Sequence, residues 1–344
     1  MTALPVTFQS GYRLVRGEDL NADFGSLAQG FNLGAGVSYY VDETNGVDQG
    51  NGGQNPSTPL KTIGQALTLE SAALTQLGLT ATGRESVVYI VGSIHLTATL
   101  NWNLNGTHLV GITSPSNNCR ARIAPLTVAN GLTQTQITAM HPMVNVTGAG
   151  CIFMNFAAFY GFDGALTPPA ASVCWLENGG RNAYNNVQLL GVGDALMAAL
   201  AGARSLQIKG IGENKFVNCT IGGDTEQRIT NLNATIELTN GTTRNIIRNS
   251  VIQSWNGLST NLQILVQAGG MDRYLILDNV TMHNFGTAMA VAITNTAGGG
   301  PNGNIILTPT CVSVGATVIC TSGTNYVSGP VPTANTSNLG ILGT

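Results

Sequence analysis

The chain has 344 residues, a formal net charge of −3, only 9% charged residues and 44 glycines. Soluble proteins ordinarily carry about 25% charged residues, so this surface is built largely from neutral polar groups, as in turn-dense β proteins. No basic run is present to hold a nucleic acid backbone, and no apolar stretch approaches the roughly 18 residues of a membrane-spanning helix.

Residues 1–36 begin the chain without an apolar segment of signal-peptide type. Their charge is concentrated in Gly11–Asn21, where Arg13, Arg16, Glu18 and Asp19 alternate with Tyr12, Leu14 and Leu20. Two readings stand side by side: a solvated arm, or a docking arm that orders against another subunit with the apolar residues as anchors. Ser38–Asp42 then has the composition of a strand and runs into a glycine-rich loop through Gly53. The segment 59–77 is expected to hold a short amphipathic helix. Ile63, Ala66, Leu67, Leu74 and Leu77 share one face, and Ser57, Thr58 or Thr62 is available as the cap.

The stretch 40–67 contains Tyr40-Val41-Asp42, Asn45-Gly46, Gly50-Asn51-Gly52, Pro56-Ser57-Thr58-Pro59-Leu60-Lys61-Thr62-Ile63 and Ala66-Leu67. This resembles the opening of right-handed β-helix proteins of the pectate-lyase-like superfamily, including phage tailspikes and virion surface proteins. The resemblance covers about 30 residues strongly. It implies an all-β, single-stranded parallel β-helix with the helix capping its open end, commonly a parallel homotrimer. The 11–21 segment is similar to the short N-terminal arms of phage virion proteins.

From Glu85 onward strand-forming runs are dense, and an asparagine-centred pattern repeats. Asn155, Asn186, Asn218, Asn249 and Asn279 follow one another at steps of 31, 32, 31 and 30 residues. A fixed period in this range signals coils that bury their apolar face only against neighbours, here on the order of 7–10 of them. Asparagine tolerates left-handed backbone at a corner, and its carboxamide can bond to the copy above. A second track, Ile208, Ile236 and Ile264, steps by 28 and 28. Five residues before the register asparagines stand Arg181, Glu213 and Arg244, whose alternating sign suits attraction between successive coils.

Candidate chemistry is sparse. Asp163, Asp194 and Asp224 each follow a glycine corner, spaced 31 and 30 residues apart, with Glu226 close by. Stacked on one edge they would form a carboxylate group suited to glycoside hydrolysis or Ca²⁺; as favoured turn residues they need do neither. His95, His108, His141 and His283 share no register. Trp102, Trp175 and Trp255 are the aromatic candidates for a sugar platform, though their spacing argues against a single stacked strip. The six cysteines lack CxxC spacing. Cys151 and Cys219 fit core positions, and Cys311 and Cys320 are near enough in sequence to meet across a hairpin or adjacent strands.

The sequence therefore divides into an arm (1–36), a β-helix (37–321) and an extended tail (322–344). No catalytic residue, cofactor or metal is assigned. The resemblance implies a trimeric virion protein, made in the host cytoplasm, that decorates and stabilises a capsid by docking its arm on the major capsid protein or other virion subunits. The alternative is a tailspike or tail-fibre depolymerase, or a glycan-binding protein, acting on a host surface polysaccharide through the aspartate edge.

Overall fold

The computed structural model describes residues 36–50, 52–113, 121–162, 166–296 and 303–320, together with the backbone of 325–327 and 334–335. The arm residues Tyr12, Arg13, Leu14, Arg16, Glu18, Asp19 and Leu20 lie outside the described residues, as do Asp163 and Cys119.

The chain winds into a right-handed parallel β-helix of about seven turns. Three faces recur in each coil. The first runs from Ser38–Asp42 and Ser86–Val91 through Ile152–Met154, Ala183–Asn185 and Lys215–Val217 to Asn304–Leu307. The second includes Ser93–Leu96, Arg122–Pro125, Ala157–Phe159 and Gln188–Leu190. Two long strands, Asn245–Asn256 and Tyr274–Asn284, pass through both faces. The third face is an eight-stranded sheet from Leu100–Trp102 to Ala316–Cys320. Pairing on the first two faces continues past residue 321, because 325–327 joins Ile305–Leu307 and 334–335 joins Ser313–Val314.

The register asparagines turn the first face into the second. Asn155, Asn186, Asn218, Asn249 and Asn279 have φ of 60°, 54°, 56°, 49° and 53°. This left-handed region is one that asparagine enters at lower cost than other side chains with a Cβ. Their carboxamides bond in pairs rather than in one continuous column. Asn186 Nδ2 donates to Asn155 Oδ1 (2.9 Å) and Asn279 Nδ2 to Asn249 Oδ1 (3.0 Å), while Asn218 turns to Asn185 Oδ1 (3.4 Å).

The opposite corner, from third face to first, is also left-handed, at Arg181, Glu213 and Arg244 (φ 58°, 61° and 50°). Glu213 accepts from Arg181 Nε at 2.7 Å and from Arg244 Nη2, so the alternating charges do pair between coils. The next residues, Asn182, Asn214 and Asn245, are buried. Asn245 Oδ1 takes the Asn214 backbone N–H (3.2 Å), Asn214 Oδ1 that of Asn182 (3.1 Å), and Asn182 Oδ1 that of Cys151 (2.7 Å). This interior ladder satisfies amide groups that the corner would otherwise strand away from water.

Between the corners the core is apolar. Phe153, Tyr184 and Phe216 stack face to face along the first face, with centroids 4.8 and 4.4 Å apart, and Trp102 and Trp175 pack edge-on to Phe153. Helix α1 (Ile63–Leu77) closes the N-terminal end, with the Thr62 hydroxyl accepting from Gln65 N and Gly78 ending it at φ 68°. It buries Ile63, Ala66, Leu67 and Leu74, but Leu77 is 57% exposed and does not share that face. Two shorter helices, α2 (Gln134–Ala139) and α3 (Ala195–Ala198), interrupt the passages from second face to third.

The isoleucine track needs correction. Ile236 does stack on Ile264, but Ile208 pairs with Leu238, and the residue under Ile236 is Leu206. The passages from second face to third differ in length from coil to coil. Equal spacing along the chain therefore does not mean equal register on the third face.

Candidate functional site

Most acids of the described coils are already engaged. Asp194 is the N-cap of α3: its Oδ1 accepts from Leu196 N at 2.8 Å and the residue is buried. Asp224 is exposed, and its charge acts on His283 instead. The structure thus gives Asp194 a capping position and Asp224 a surface one. Among the described residues no three His, Cys, Asp or Glu side chains gather as a metal would require.

Two polar clusters were not foreseen. Glu177 points into the solenoid, where burial pushes its carboxyl up to about 7 against the hydrogen bonds that favour the charge. Its oxygens accept from the Gly179 and Gly180 amides (3.1 and 2.9 Å), from Asn182 Nδ2 (2.9 and 3.1 Å) and from the Tyr184 hydroxyl, which itself accepts from Trp175 Nε1 at 3.0 Å. Enclosed on all sides, this acid ties one corner to the aromatic stack. Its sequence signal was weak: a lone glutamate ending a run of buried residues on the third face.

The second cluster spans three coils of the third face. Glu237 accepts from Gln207 Nε2 (2.8 Å) and Gln267 Nε2 (2.6 Å), with Arg204 Nε 3.3 Å away. Arg228 lies deeper, with neutral partners: the Asn233 carboxamide, the Ala234 carbonyl (3.2 Å) and Ser205 Oγ (3.4 Å). Burial, then the neighbouring Arg204, push its guanidinium down to about 9. With Glu237 held by two amides and a cation, the arrangement behaves as a cross-coil tie.

The histidines disperse as their lack of register implies. His108 is buried between Glu85 Oε2 (2.7 Å) and the Ile152 amide (2.9 Å), and desolvation lowers its pKa. His95 bonds Glu43. Trp102 and Trp175 are core residues, whereas Trp255 is 38% exposed. Cys151, Cys174, Cys219 and Cys311 are buried free thiols. Cys311 precedes a second-face strand and Cys320 ends a third-face strand, so the two belong to different faces.

What distinguishes the surface is the outer side of the first face. Strand side chains alternate; the inward set is Leu109, Phe153, Tyr184, Phe216, Ile247 and Leu277. The outward set on successive coils includes Val110, Met154, Val217, Ile246, Ile276 and Ile306, all partly exposed. A solvent-facing sheet normally places polar residues there. This half of the alternation is largely apolar too, broken by Ser38, Asp42, His108, Asn185, Lys215, Asn304 and the Arg248–Asp278 ion pair (2.6 Å). Its signal was in the sequence as Ile246, Ile276 and Ile306, spaced 30 and 30.

No protein-family model and no curated protein matches this chain. Among solved structures it is similar to the pectin methylesterase of Aspergillus niger in deglycosylated form, with 15% identity over 88% of each chain and a TM-score of 0.50. A pectin methylesterase bound to a hexasaccharide is 14% identical over 85% of this chain and 92% of that one, with a TM-score of 0.42. The first likeness is one of fold: the chain shares the right-handed parallel β-helix of the pectin methylesterases.

Proposed function

We propose that this chain is a structural virion subunit, assembling side by side through its first face into a parallel homotrimer that decorates a capsid. The observation that carries the reading is the outer face, with apolar residues recurring from coil to coil between a few polar ones, which a lone solenoid would leave against water. A rigid, internally tied rod with one sticky side is suited to lateral association. Its length then bridges neighbouring subunits of a shell and resists outward pressure. The opening sequence over 40–67 supports a virion setting by resemblance, and residues 1–36 supply the arm that docks on the capsid protein.

Sedimentation equilibrium tests the assembly step. The full chain is expected to run as a trimer and the double substitution Ile246→Arg/Ile276→Arg as a folded monomer. A monomeric wild type would overturn the reading. Cryo-electron microscopy of the particle that contains the chain tests its place: density on the capsid lattice is expected, and density confined to the tail would refute decoration.

A further inference from the structure

A second surface, away from the first face, has the make-up of a ligand site. The strands Asn245–Asn256 and Tyr274–Asn284 run along the second face, with Gln253 paired to His283 and Ser254 to Asn284. At their ends Trp255 and Phe285 fall on adjacent coils, one rung (about 4.8 Å) apart, with the Phe285 amide bonded to the Ser254 carbonyl at 2.9 Å. Both rings are turned outward and are 38% and 40% exposed, the only large aromatic side chains so exposed among the described residues.

The surroundings favour an occupant. Gly286 allows a close approach to the coil beneath: a Cβ there would fall 2.1 Å from the Asn256 carbonyl oxygen and 2.8 Å from Trp255 Cδ1. Gln227 pairs opposite Trp255 on the preceding coil. The His283 ring lies against Phe285, centroids 4.1 Å apart, and its Nε2 is buried with no hydrogen-bond partner. Asp224 stands close enough for its charge to oppose the burial that lowers the His283 pKa. Exposed rings edged by carboxamides, an imidazole and a carboxylate suit one ligand chemistry, a ring with apolar C–H faces and a rim of hydroxyls.

We infer that Trp255 and Phe285, with Gln227, Gln253, His283 and Asp224 around them, form a binding site for a neutral saccharide. The charge selects neutrality: Asp224 and Glu226 lie in the adjoining loop, and that loop's cation, Arg228, is buried and turned away. A pyranose stacks on the indole, and its hydroxyls reach the amides and the carboxylate. The site is independent of the assembly face and stands or falls without it.

The test uses the full chain and isothermal titration calorimetry with maltohexaose, cellohexaose and chitohexaose, and with polygalacturonate as the anionic comparison. Binding of at least one neutral oligosaccharide is expected. Trp255→Ala should abolish it and Phe285→Ala weaken it about tenfold, the loss of roughly 1.4 kcal/mol that one ring contact supplies. Both positions are surface ones, so melting temperatures should match the wild type. Tryptophan emission gives a second readout, because Trp102 and Trp175 are fully buried and only Trp255 can be shielded by a ligand. No heat with any neutral probe, binding that survives Trp255→Ala, or binding of polygalacturonate alone would each overturn the assignment.

Discussion

Replacing Glu177 with glutamine tests whether a charge inside the solenoid is costly. Glu177 is fully buried and its carboxyl is raised from 4.5 to about 7, chiefly by desolvation. At about 1.4 kcal/mol per pH unit this corresponds to about 3 kcal/mol. The sign follows from proton counts. Between pH 4.5 and 7 the native state keeps a proton that the unfolded chain has released, so this stability is complete below about 4.5 and is lost as pH rises through 7. Glutamine stays neutral throughout. Its Oε1 keeps the Gly179, Gly180 and Asn182 donors while its N–H₂ faces Asn182 Nδ2 and the Tyr184 hydroxyl, which adds a penalty that does not change with pH. Urea unfolding of both proteins at half-unit steps from about pH 4.5 to pH 8 separates the two effects. Wild-type stability relative to Glu177→Gln is expected to decline by about 3 kcal/mol across the window. A difference that stays flat within about 0.5 kcal/mol would refute the argument that burial dominates over the surrounding hydrogen bonds.

Asn218→Ala should cost about 1–2 kcal/mol and Asn218→Gly clearly less, because glycine keeps the left-handed corner at φ 56° and alanine does not; equal losses in chemical denaturation would mean that the side-chain bond matters more than the backbone. Thr62→Ala removes the cap of α1 and its bond to Asp48 Oδ2 (2.7 Å), for about 1 kcal/mol. Leu74→Ala, in the buried face of the same helix, should cost about 2–5 kcal/mol. Hydrogen exchange over residues 63–77 reads both, and protection unchanged from the wild type would show that α1 does not close the solenoid.

Local preference made much of this fold legible in the sequence. An asparagine in a left-handed corner is recognisable wherever it stands, so five of them at a near-constant step announced the coil, its period and one of its corners. The Thr62 cap and the apolar face of α1 were legible for the same reason, since both depend on residues within a few positions of each other. Arg181, Glu213 and Arg244 paired as their alternating sign implied, because that corner also keeps a step close to one coil.

The third face and the sites needed the tertiary structure. Chain passages of unequal length lead onto that face, so Ile208 lands on Leu238 rather than Ile236. Asp194 and Asp224, 30 residues apart, meet different fates: one folds back to cap α3 and the other stays on the surface beside His283. Trp175 and Trp255 are the same residue type 80 residues apart, yet one fills the core and the other faces outward. Side-chain direction in a strand reverses with every residue, and a corner resets it. Which carboxylates and rings face inward is therefore decided by the winding of the whole chain, whereas the corners that make the winding possible are written residue by residue.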